Sequence, residues 1–321
     1  MTEAELKALA DEIVAKVRGG GVRKSTDART PSGVPAIVRG NLALKADAGG
    51  AADIAWRGPN VQTAAWTPGS PARRVADFVD HTLLKPEATR AEILKLCAEA
   101  KQHRFAAVCV NGTWVELCVQ ELRGTEVAVA SVVGFPLGAM TSRSKASEAR
   151  EAVVSGAREI DMVAGIGRLK SGEWSYVEDD IRAVVEASRP GIVKVIIESA
   201  LLSQDQIIKI SALAKEAGAH FVKTSTGFNA AGGASIAAVR LMRLVVGDSL
   251  GVKASGGVRD CASALAMIAA GANRLGTSSG VGLVTCLGPG PLPLAELLKQ
   301  PQAHAAGCTS GSCGNAGGSV Y

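Results

Sequence analysis

The feature that most constrains the fold is a regular alternation of short apolar runs with helical segments between residues 73 and 286. Near-continuous apolar strands that alternate with helices indicate a parallel sheet whose outer face is covered. Eight such units predict an α/β protein with a closed (β/α)8 TIM barrel. An open, doubly wound sheet remains the alternative, because periodicity alone does not show closure. The predicted strands are residues 79–84, 106–110, 127–135, 159–163, 193–197, 221–224, 251–254 and 274–277.

The chain of 321 residues is longer than the predicted barrel over residues 73–286. Residues 1–72 are predicted to form an N-terminal helix, over residues 2–17, followed by a Gly/Ala-rich extension. Two alternatives stay open for this extension: Trp56 and Trp66 dock it on the barrel or on a partner, or it is a partly disordered arm. Residues 287–321 are predicted to form a C-terminal helix and a flexible tail.

Composition excludes several classes of function. Hydrophobic residues make up 47% of the chain and charged residues 20%, which is enough for a sizeable core. The net charge of +5 is scattered, without the basic run or aromatic platform of a nucleic-acid-binding protein. No apolar stretch approaches the ~20 residues that span a bilayer. The charged N-terminus does not resemble a signal peptide, so we expect a cytoplasmic protein without a nucleic-acid or membrane partner.

The seven cysteines do not form a recognisable framework. Cys308 and Cys313 lie in a Gly/Ser-rich segment, where they could pair or bind metal, but no second Cys/His pair supports a zinc site. No two histidines have the spacing of metal ligands, so we expect neither a metal nor a cofactor. The other five cysteines lie in apolar segments and are predicted to be small core residues: Cys97, Cys109, Cys118, Cys261 and Cys286.

Two strands carry a lysine followed by a small, glycine-containing turn. Lys223 and Lys253 could simply reach water from their strand ends. In a barrel, however, neighbouring strands lie about 4.8 Å apart, so the two ammonium groups would approach each other. Like charges lower the pKa of one lysine, and a neutral amine attacks a carbonyl to give a Schiff base. Asp161, on the fourth predicted strand, is interpreted as a proton shuttle, or alternatively as a structural partner of a barrel lysine.

Glycine-rich loops follow the last predicted strands. Barrels often bind phosphate between the loops after strands seven and eight. We therefore expect a phosphate site formed by residues 255–257 and 276–280, with Thr226 and Gly227 completing the cradle. Cys109, at the end of the second predicted strand, is expected to face the same pocket.

With these residues in view, the chain resembles the deoxyribose-phosphate aldolases, which are class I, Schiff-base aldolases. The resemblance runs from Val75 to Val284 without a large gap. It implies a (β/α)8 barrel and the reversible cleavage of 2-deoxy-D-ribose 5-phosphate to D-glyceraldehyde 3-phosphate and acetaldehyde, in deoxyribonucleotide catabolism. The motifs that carry it include Asp80-His81-Thr82-Leu83-Leu84-Lys85-Pro86, Gly134-Phe135-Pro136-Leu137-Gly138, Glu159-Ile160-Asp161-Met162-Val163, Val193-Lys194-Val195-Ile196-Ile197-Glu198, Val222-Lys223-Thr224-Ser225-Thr226-Gly227 and Val252-Lys253-Ala254-Ser255-Gly256-Gly257.

The resemblance also implies roles for single residues. Lys223 matches the nucleophile, Lys253 the neighbour that lowers its pKa, and Asp161 the proton donor and acceptor. Further positions match residues that line the family's pocket or its phosphate cradle: Asp80, Thr82, Lys194, Gly227, Gly256, Gly257, Gly276, Ser278 and Ser279. The partners implied are the phosphorylated sugar, acetaldehyde and further copies of the chain, as a dimer or tetramer.

Two further positions, Phe228 and Tyr321, can be compared with residues that only some members of the family carry. Some members of the family carry a lysine where this chain has Phe228, which leaves mainly backbone and hydroxyl donors for the phosphate. Some members end in a tyrosine that reaches the active site, and this chain ends in Tyr321. Two other functions stay open: an aldolase for a different phosphorylated substrate, and a non-catalytic barrel that binds phosphosugars.

Overall fold

The structure, a computed structural model, describes residues 74–286 and several helical positions between residues 5 and 15. Its eight strands form a closed barrel in the order β1 to β8, with every neighbouring pair parallel and β8 paired with β1. The predicted (β/α)8 TIM barrel is therefore confirmed. The strands are β1 Val79–Leu83, β2 Ala107–Val110, β3 Ala128–Val133, β4 Glu159–Val163, β5 Ile192–Ile196, β6 Phe221–Lys223, β7 Gly251–Ser255 and β8 Arg274–Thr277.

Helices connect the strands on the outside of the barrel. The short helix α4 lies in the connection after β4 and was not predicted from the sequence. The helices are α1 Arg90–His103, α2 Val115–Glu121, α3 Ser142–Val154, α4 Ile166–Lys170, α5 Trp174–Ala187, α6 Gln204–Glu216, α7 Ile236–Val246, α8 Cys261–Ala269 and α9 Gly280–Thr285.

Side-chain caps fix where the helices begin. Thr89, the N-cap of α1, accepts a hydrogen bond from the backbone of Glu92, whose carboxylate accepts one in return from the Thr89 backbone. Ser203 and Asp260 cap α6 and α8 in the same reciprocal way. Each cap satisfies backbone donors that the first helical turn would otherwise leave unpaired.

Apolar side chains divide into two layers because successive residues of a strand point to opposite faces. The outward residues, such as Val108 and Ile160, pack with the helices in one large buried cluster. A much smaller apolar cluster, centred on Cys109, lies inside the barrel. The outer layer thus supplies most of the hydrophobic stabilisation and leaves the interior available for other groups.

A buried ion pair joins helices α3 and α5 on the outside of the barrel. Lys145 of α3 donates to the carboxylate of Asp180 on α5 at 2.6 Å, and both side chains are shielded from solvent. Removing either partner would leave an unpaired buried charge, which is strongly destabilising. This pair fixes the position of α3, which follows the loop after β3.

Two of the predicted core cysteines are joined by a disulfide instead. Cys261, the first residue of α8, is bonded to Cys286, just after α9. Spacing alone could not indicate this pair, because the fold brings the two residues together across β8. Cys97, Cys109 and Cys118 are buried, as predicted. The disulfide joins the helices that follow β7 and β8, where the phosphate site is expected.

Several predictions fall outside the described residues. They concern Trp56, Trp66, Cys308, Cys313 and Tyr321, together with the division of the chain into an extension over residues 1–72 and a tail over residues 287–321. The described positions between residues 5 and 15 are helical. In the part of the chain that the structure describes, no helix combines the length and apolar character that crossing a membrane requires.

We predict that replacing both Cys261 and Cys286 by serine lowers the free energy of unfolding by about 3 kcal/mol, because the disulfide closes a loop in the unfolded chain. The two residues are 25 positions apart. Guanidinium unfolding with and without a reductant measures this effect. The double variant should be insensitive to the reductant. Equal stability of the wild type in both conditions, with no cross-linked peptide in an unreduced digest, would show that the bond does not form.

Candidate active site

Among the described residues, the barrel interior holds seven Asp, Glu, Lys and Arg side chains, none more than 2% exposed. Branched apolar residues usually fill this space, so a charged interior indicates chemistry. The alternation of side chains explains how they meet, since residues two positions apart share a face. The seven residues are Asp80, Glu159, Asp161, Lys194, Lys223, Lys253 and Arg274, and we call them the charged cluster.

Asp161 is the centre of the charged cluster. One of its oxygens, Oδ2, accepts hydrogen bonds from Lys223 Nζ and Lys253 Nζ, both at 2.8 Å. Its other oxygen, Oδ1, accepts from Lys194 Nζ at 2.8 Å. Burial by itself would raise the pKa of Asp161, but the three lysines hold that pKa well below its usual value. Asp161 is therefore a carboxylate in contact with three amines.

The remaining members of the charged cluster form a chain of ion pairs around Asp161. Lys253 lies 2.5 Å from Asp80, and Asp80 lies 2.5 Å from Arg274. Arg274 contacts Glu159 at 2.8 Å, and Glu159 contacts Lys194 at 2.5 Å. Lys194, Lys253 and Arg274 each bind two or more carboxylates. Among the described residues, Lys223 binds one carboxylate, that of Asp161.

Charge counting identifies which base gives up its proton. Within the charged cluster, three carboxylates face four basic groups, so the cluster would carry a net charge of +1 if every member were ionised. Glu198, a further buried carboxylate outside the cluster, interacts with Lys223, but burial raises the pKa of Glu198 and so disfavours its charged form. An unbalanced buried charge is costly, and the group that stabilises it least neutralises instead. Burial lowers the pKa of Lys223, and nearby Lys253 lowers it further, although Asp161 opposes both. Lys223 is thus the amine poised to be neutral.

Lys253 behaves in the opposite way. Its burial would lower its pKa, but Asp161 and Asp80 raise that pKa well above the usual value. The pKa of Lys194 is raised as well, by Asp161 and Glu159. From the sequence, repulsion between the two strand-end lysines was expected to be the main cause of a lowered pKa. In the structure burial is the larger cause, and repulsion by Lys253 adds to it.

Strand register brings the amines together. Lys223 is the direct neighbour of Lys253 across β6 and β7, and Asp161 is the neighbour of Lys194 across β4 and β5. Lys223 ends its strand, as expected. Asp161, Lys194 and Lys253 instead lie in the middle of five-residue strands and not at their carboxyl ends. The reactive layer therefore sits within the barrel, below its mouth.

Two members of the charged cluster were not recognised in the sequence. Glu159 precedes Asp161 by two residues, and Arg274 precedes Gly276 by two residues. Charged residues at every second position of an apolar strand were the signal that could have identified them. Glu198 was also missed as a functional residue, although it lies within one of the motifs quoted above.

Thr82 and Cys109 lie at the wall of the site. The hydroxyl of Thr82 donates to the backbone oxygen of Asp80 at 2.8 Å. Cys109 Sγ lies 4.0 Å from Asp161 Oδ2, and burial together with Asp161 raises the pKa of the thiol. Cys109 thus remains a thiol and belongs to an apolar wall. The other members of that wall are Leu84, Ala130, Val132, Phe135 and Phe228.

The loop after β6 is held by Glu198. Glu198 accepts hydrogen bonds from the backbone of Thr226 at 3.3 Å and from its hydroxyl at 2.6 Å. The Thr226 hydroxyl also accepts from the backbone of Phe228 at 3.1 Å. The polar groups of Thr226 are therefore engaged within the protein. We interpret Thr226 as a residue that positions the loop, and not as a direct ligand.

The glycines of the expected phosphate cradle follow the strands at the mouth of the barrel. Gly227, Gly256 and Gly257 have φ values of 84°, 83° and 82°, a left-handed conformation that side chains disfavour. The backbone of Ala234 donates to the Gly256 oxygen at 3.0 Å, so the loops after β6 and β7 are joined directly.

Gly276 serves a different purpose from the other glycines. A methyl group at this position would overlap Ser255 Oγ and lie 3.0 Å from Lys253 Cε. Its missing side chain leaves space for Lys253 to reach Asp161. Ser278 and Ser279 follow β8, and the backbone of Ser279 donates to the Thr277 hydroxyl at 2.9 Å.

A further groove of about 430 Å³ lies among the segments that follow β3 and β4. It is lined by parts of residues 137–141 and 165–176 and includes none of the predicted site residues. Over residues 74–286 and the described N-terminal positions, no group of three His, Cys, Asp or Glu side chains could hold a metal ion.

Comparison with known proteins shows which family the chain resembles. The family described as DeoC/LacD family aldolase matches residues 74–285. The chain is 54% identical over 211 residues to the deoxyribose-phosphate aldolase of Streptococcus uberis, covering 66% of this chain and 96% of that protein. It is 56% identical over 211 residues to the deoxyribose-phosphate aldolase of a Geobacillus species, covering 65% and 94%. The solved tetrameric deoxyribose phosphate aldolase of Aeropyrum pernix is 30% identical, with a TM-score of 0.62 and coverage of 66% and 90%.

We predict that Lys253→Met makes Lys223 harder to deprotonate, because three carboxylates then balance three basic groups. The pKa of Lys223 should therefore rise. The readout is the pH dependence of imine formation between Lys223 and a small aldehyde, followed by borohydride trapping. The acid limb of this profile should move to higher pH.

The matched control is Lys145→Met, which removes a buried, ion-paired lysine outside the barrel. This variant can lose stability but should leave the acid limb in place. An unmoved limb in Lys253→Met would contradict the charge-counting argument, whatever the change in stability.

Proposed function

This chain belongs to the DeoC/LacD aldolase family, and we propose that it cleaves 2-deoxy-D-ribose 5-phosphate through a Schiff base on Lys223. The products are D-glyceraldehyde 3-phosphate and acetaldehyde, and the reaction is reversible. The observation that carries the proposal is Lys223 itself, a buried amine with a lowered pKa and one carboxylate partner. The names of the relatives from Streptococcus uberis and the Geobacillus species support the substrate.

The first step of the proposed mechanism is addition of the neutral Lys223 amine to the C1 aldehyde of the open-chain sugar. The C–N bond forms, and the carbonyl oxygen becomes the hydroxyl of a carbinolamine. That hydroxyl leaves as water when it receives a proton. Lys253 is the ammonium group that can supply this proton, since it shares Asp161 Oδ2 with Lys223. The iminium ion that results is the electron acceptor for the next step.

The second step is cleavage of the C2–C3 bond. A base removes the proton of the C3 hydroxyl, the C2–C3 electron pair moves into the iminium group, and glyceraldehyde 3-phosphate departs. Asp161, acting directly or through one water molecule, is the base within reach of Lys223. The enamine left on Lys223 takes a proton at C2, and hydrolysis then releases acetaldehyde and restores the amine.

The phosphate end of the substrate orients this reaction. We propose that backbone and hydroxyl groups of Gly227, Gly256, Gly257, Ser278 and Ser279 bind it. Phe228 contributes no positive charge to the phosphate site. Its ring packs edge-to-face on Phe135, with the ring centres 5.2 Å apart. Binding of the phosphate therefore depends on backbone donors from loops that the fold holds rigidly.

The cellular setting is part of the proposal. A role in deoxyribonucleotide catabolism follows from the substrate, and its charged phosphate confines it to the cytoplasm. A cytoplasmic reducing pool would keep Cys261 and Cys286 as thiols, so the disulfide would form there only after oxidation. We also propose a homo-oligomer, a dimer or tetramer, since the Aeropyrum pernix relative is described as tetrameric.

We predict that acetaldehyde and borohydride leave a stable ethyl adduct on Lys223, located by mass spectrometry of its peptide. Lys223→Met should form no adduct. That variant leaves three carboxylates and three basic groups in the charged cluster, so it should fold at least as stably as the wild type. Deoxyribose 5-phosphate should also be consumed by the wild type, with release of acetaldehyde.

Different results separate the alternatives. An adduct on Lys253 or Lys194 would overturn the assignment of the nucleophile. An adduct on Lys223 without cleavage of deoxyribose 5-phosphate would indicate an aldolase for another phosphorylated substrate. Neither adduct nor turnover would indicate a barrel that binds phosphosugars without catalysis.

A further inference from the structure

Among the described residues, two buried hydroxyl groups beside the charged cluster have no hydrogen-bond partner. Ser225 is fully buried and Ser255 is 2% exposed, and within the described residues neither Oγ atom is paired. A buried hydroxyl without a partner costs free energy, because it has lost its bonds to water. Ser225 lies just after β6, and Ser255 ends the neighbouring strand β7. Because both hydroxyls lack a partner in the described part of the fold, we infer that a ligand supplies one.

Their positions on the strands place both hydroxyls inside the barrel. Ser225 follows Lys223 by two residues, and Ser255 follows Lys253 by two residues. Residues two positions apart in extended chain share a face, and the ladder continues beyond β6, since the backbone of Thr224 donates to the Lys253 oxygen at 3.0 Å. The serines therefore form the layer directly above the two lysines.

Contacts of the neighbouring glycines confirm this position. A methyl group at Gly276, which faces the barrel axis, would overlap Ser255 Oγ. A methyl group at Gly256 would lie 3.7 Å from Ser225 Cβ and 3.5 Å from the Cα atom of Gly227. Ser225 thus borders the expected phosphate cradle. Each strand presents, in order towards the mouth, a lysine, a serine and a glycine.

Thr224 shows that hydroxyls in this region are normally satisfied. Its Oγ1 donates to the backbone oxygen of Ser255 at 3.1 Å and accepts from the Ser255 backbone at 3.0 Å. Thr224 joins β6 to β7 and is fully used by the fold. The lack of partners at Ser225 and Ser255 is therefore a property of the inward face and not of the whole segment.

We propose that Ser225 and Ser255 bind the C4 hydroxyl of the sugar phosphate and so select substrates that carry a hydroxyl beside the phosphate-bearing carbon. This inference rests on the proposed function. With C1 on Lys223 and the phosphate at the glycines, C3 and C4 lie between, at the level of the serines. The C3 hydroxyl loses its proton during cleavage and needs a base. The C4 hydroxyl does not react, and neutral hydroxyl groups suit it as donors and acceptors.

The test compares two acceptors for acetaldehyde in the direction of synthesis. D-glyceraldehyde 3-phosphate supplies the future C4 hydroxyl, and 3-oxopropyl phosphate is the same acceptor without it. Ser225→Ala and Ser255→Ala should each lower kcat/KM for glyceraldehyde 3-phosphate by about three- to tenfold, and the double variant by about thirtyfold. For 3-oxopropyl phosphate the change should stay below about twofold.

Ser211→Ala is the matched control. Ser211 lies in α6, and its hydroxyl is equally buried and unpaired within the described residues. This variant should leave both acceptors unaffected. Removing an unpaired buried hydroxyl does not destabilise the fold by itself, so the Ser225 and Ser255 variants should keep or raise the melting temperature while they lose activity.

Equal losses with both acceptors, or the same losses in Ser211→Ala, would overturn the inference and show a structural role for the serines. Trapping of acetaldehyde on Lys223, measured in parallel, reports on the proposed function separately. If the wild type traps acetaldehyde and joins it to neither acceptor, the proposed function fails and the inference falls with it. If synthesis proceeds and both serine variants keep the wild-type preference for glyceraldehyde 3-phosphate, only the inference fails.

Discussion

One carboxylate, Asp161, accepts hydrogen bonds from three lysines inside the closed barrel. The chemistry of the site depends on the fact that the three amines share this carboxylate. Each of its contacts is 2.8 Å long. Because the two oxygens are divided among three amines, the amines differ in how well they are neutralised. Lys194 and Lys253 have further carboxylate partners, whereas among the described residues Lys223 has Asp161 alone. The same interaction therefore keeps two amines charged and leaves the third poised to be neutral.

Two features of the site reduce the stability of the fold. The pKa of Lys223 lies below its usual value of 10.5 in the folded chain, so between those two values the unfolded chain binds more protons. Stability associated with Lys223 therefore increases as the pH rises through this interval and is lost as the pH falls. The unpaired hydroxyls of Ser225 and Ser255 add a further cost. The large apolar layer between strands and helices offsets both.

Much of the fold could be predicted from the sequence, because apolar periodicity sets it. The bounds of β4 and β8 agree with the predicted strands. Lys223, Lys253 and Asp161 could be predicted as neighbours for the same reason. Closure of the sheet could not be predicted from periodicity, and α4 is too short to show a period.

The electrostatics of the site could be predicted only in part. Glu159 and Arg274 act through contacts across the barrel that join residues 115 positions apart, and sequence spacing does not show such contacts. Pairing of Cys261 with Cys286 likewise follows from the packing of two helices and not from their spacing. The sequence suggested Thr226 as a phosphate ligand. Because its hydroxyl is bonded to Glu198, we interpret Thr226 as a positioning residue instead. In each case the missing information was a tertiary contact.

The central claim is that the charged cluster leaves Lys223, and not Lys253, as the neutral amine. NMR titration of lysine Nζ groups in selectively labelled protein tests it most directly, with Lys223→Met to assign the signal. We expect Lys223 to titrate below 10.5 while Lys194 and Lys253 remain ammonium groups through that range. A Lys223 that stays charged up to 10.5 or above, or a Lys253 that is neutral at pH 7, would contradict the account.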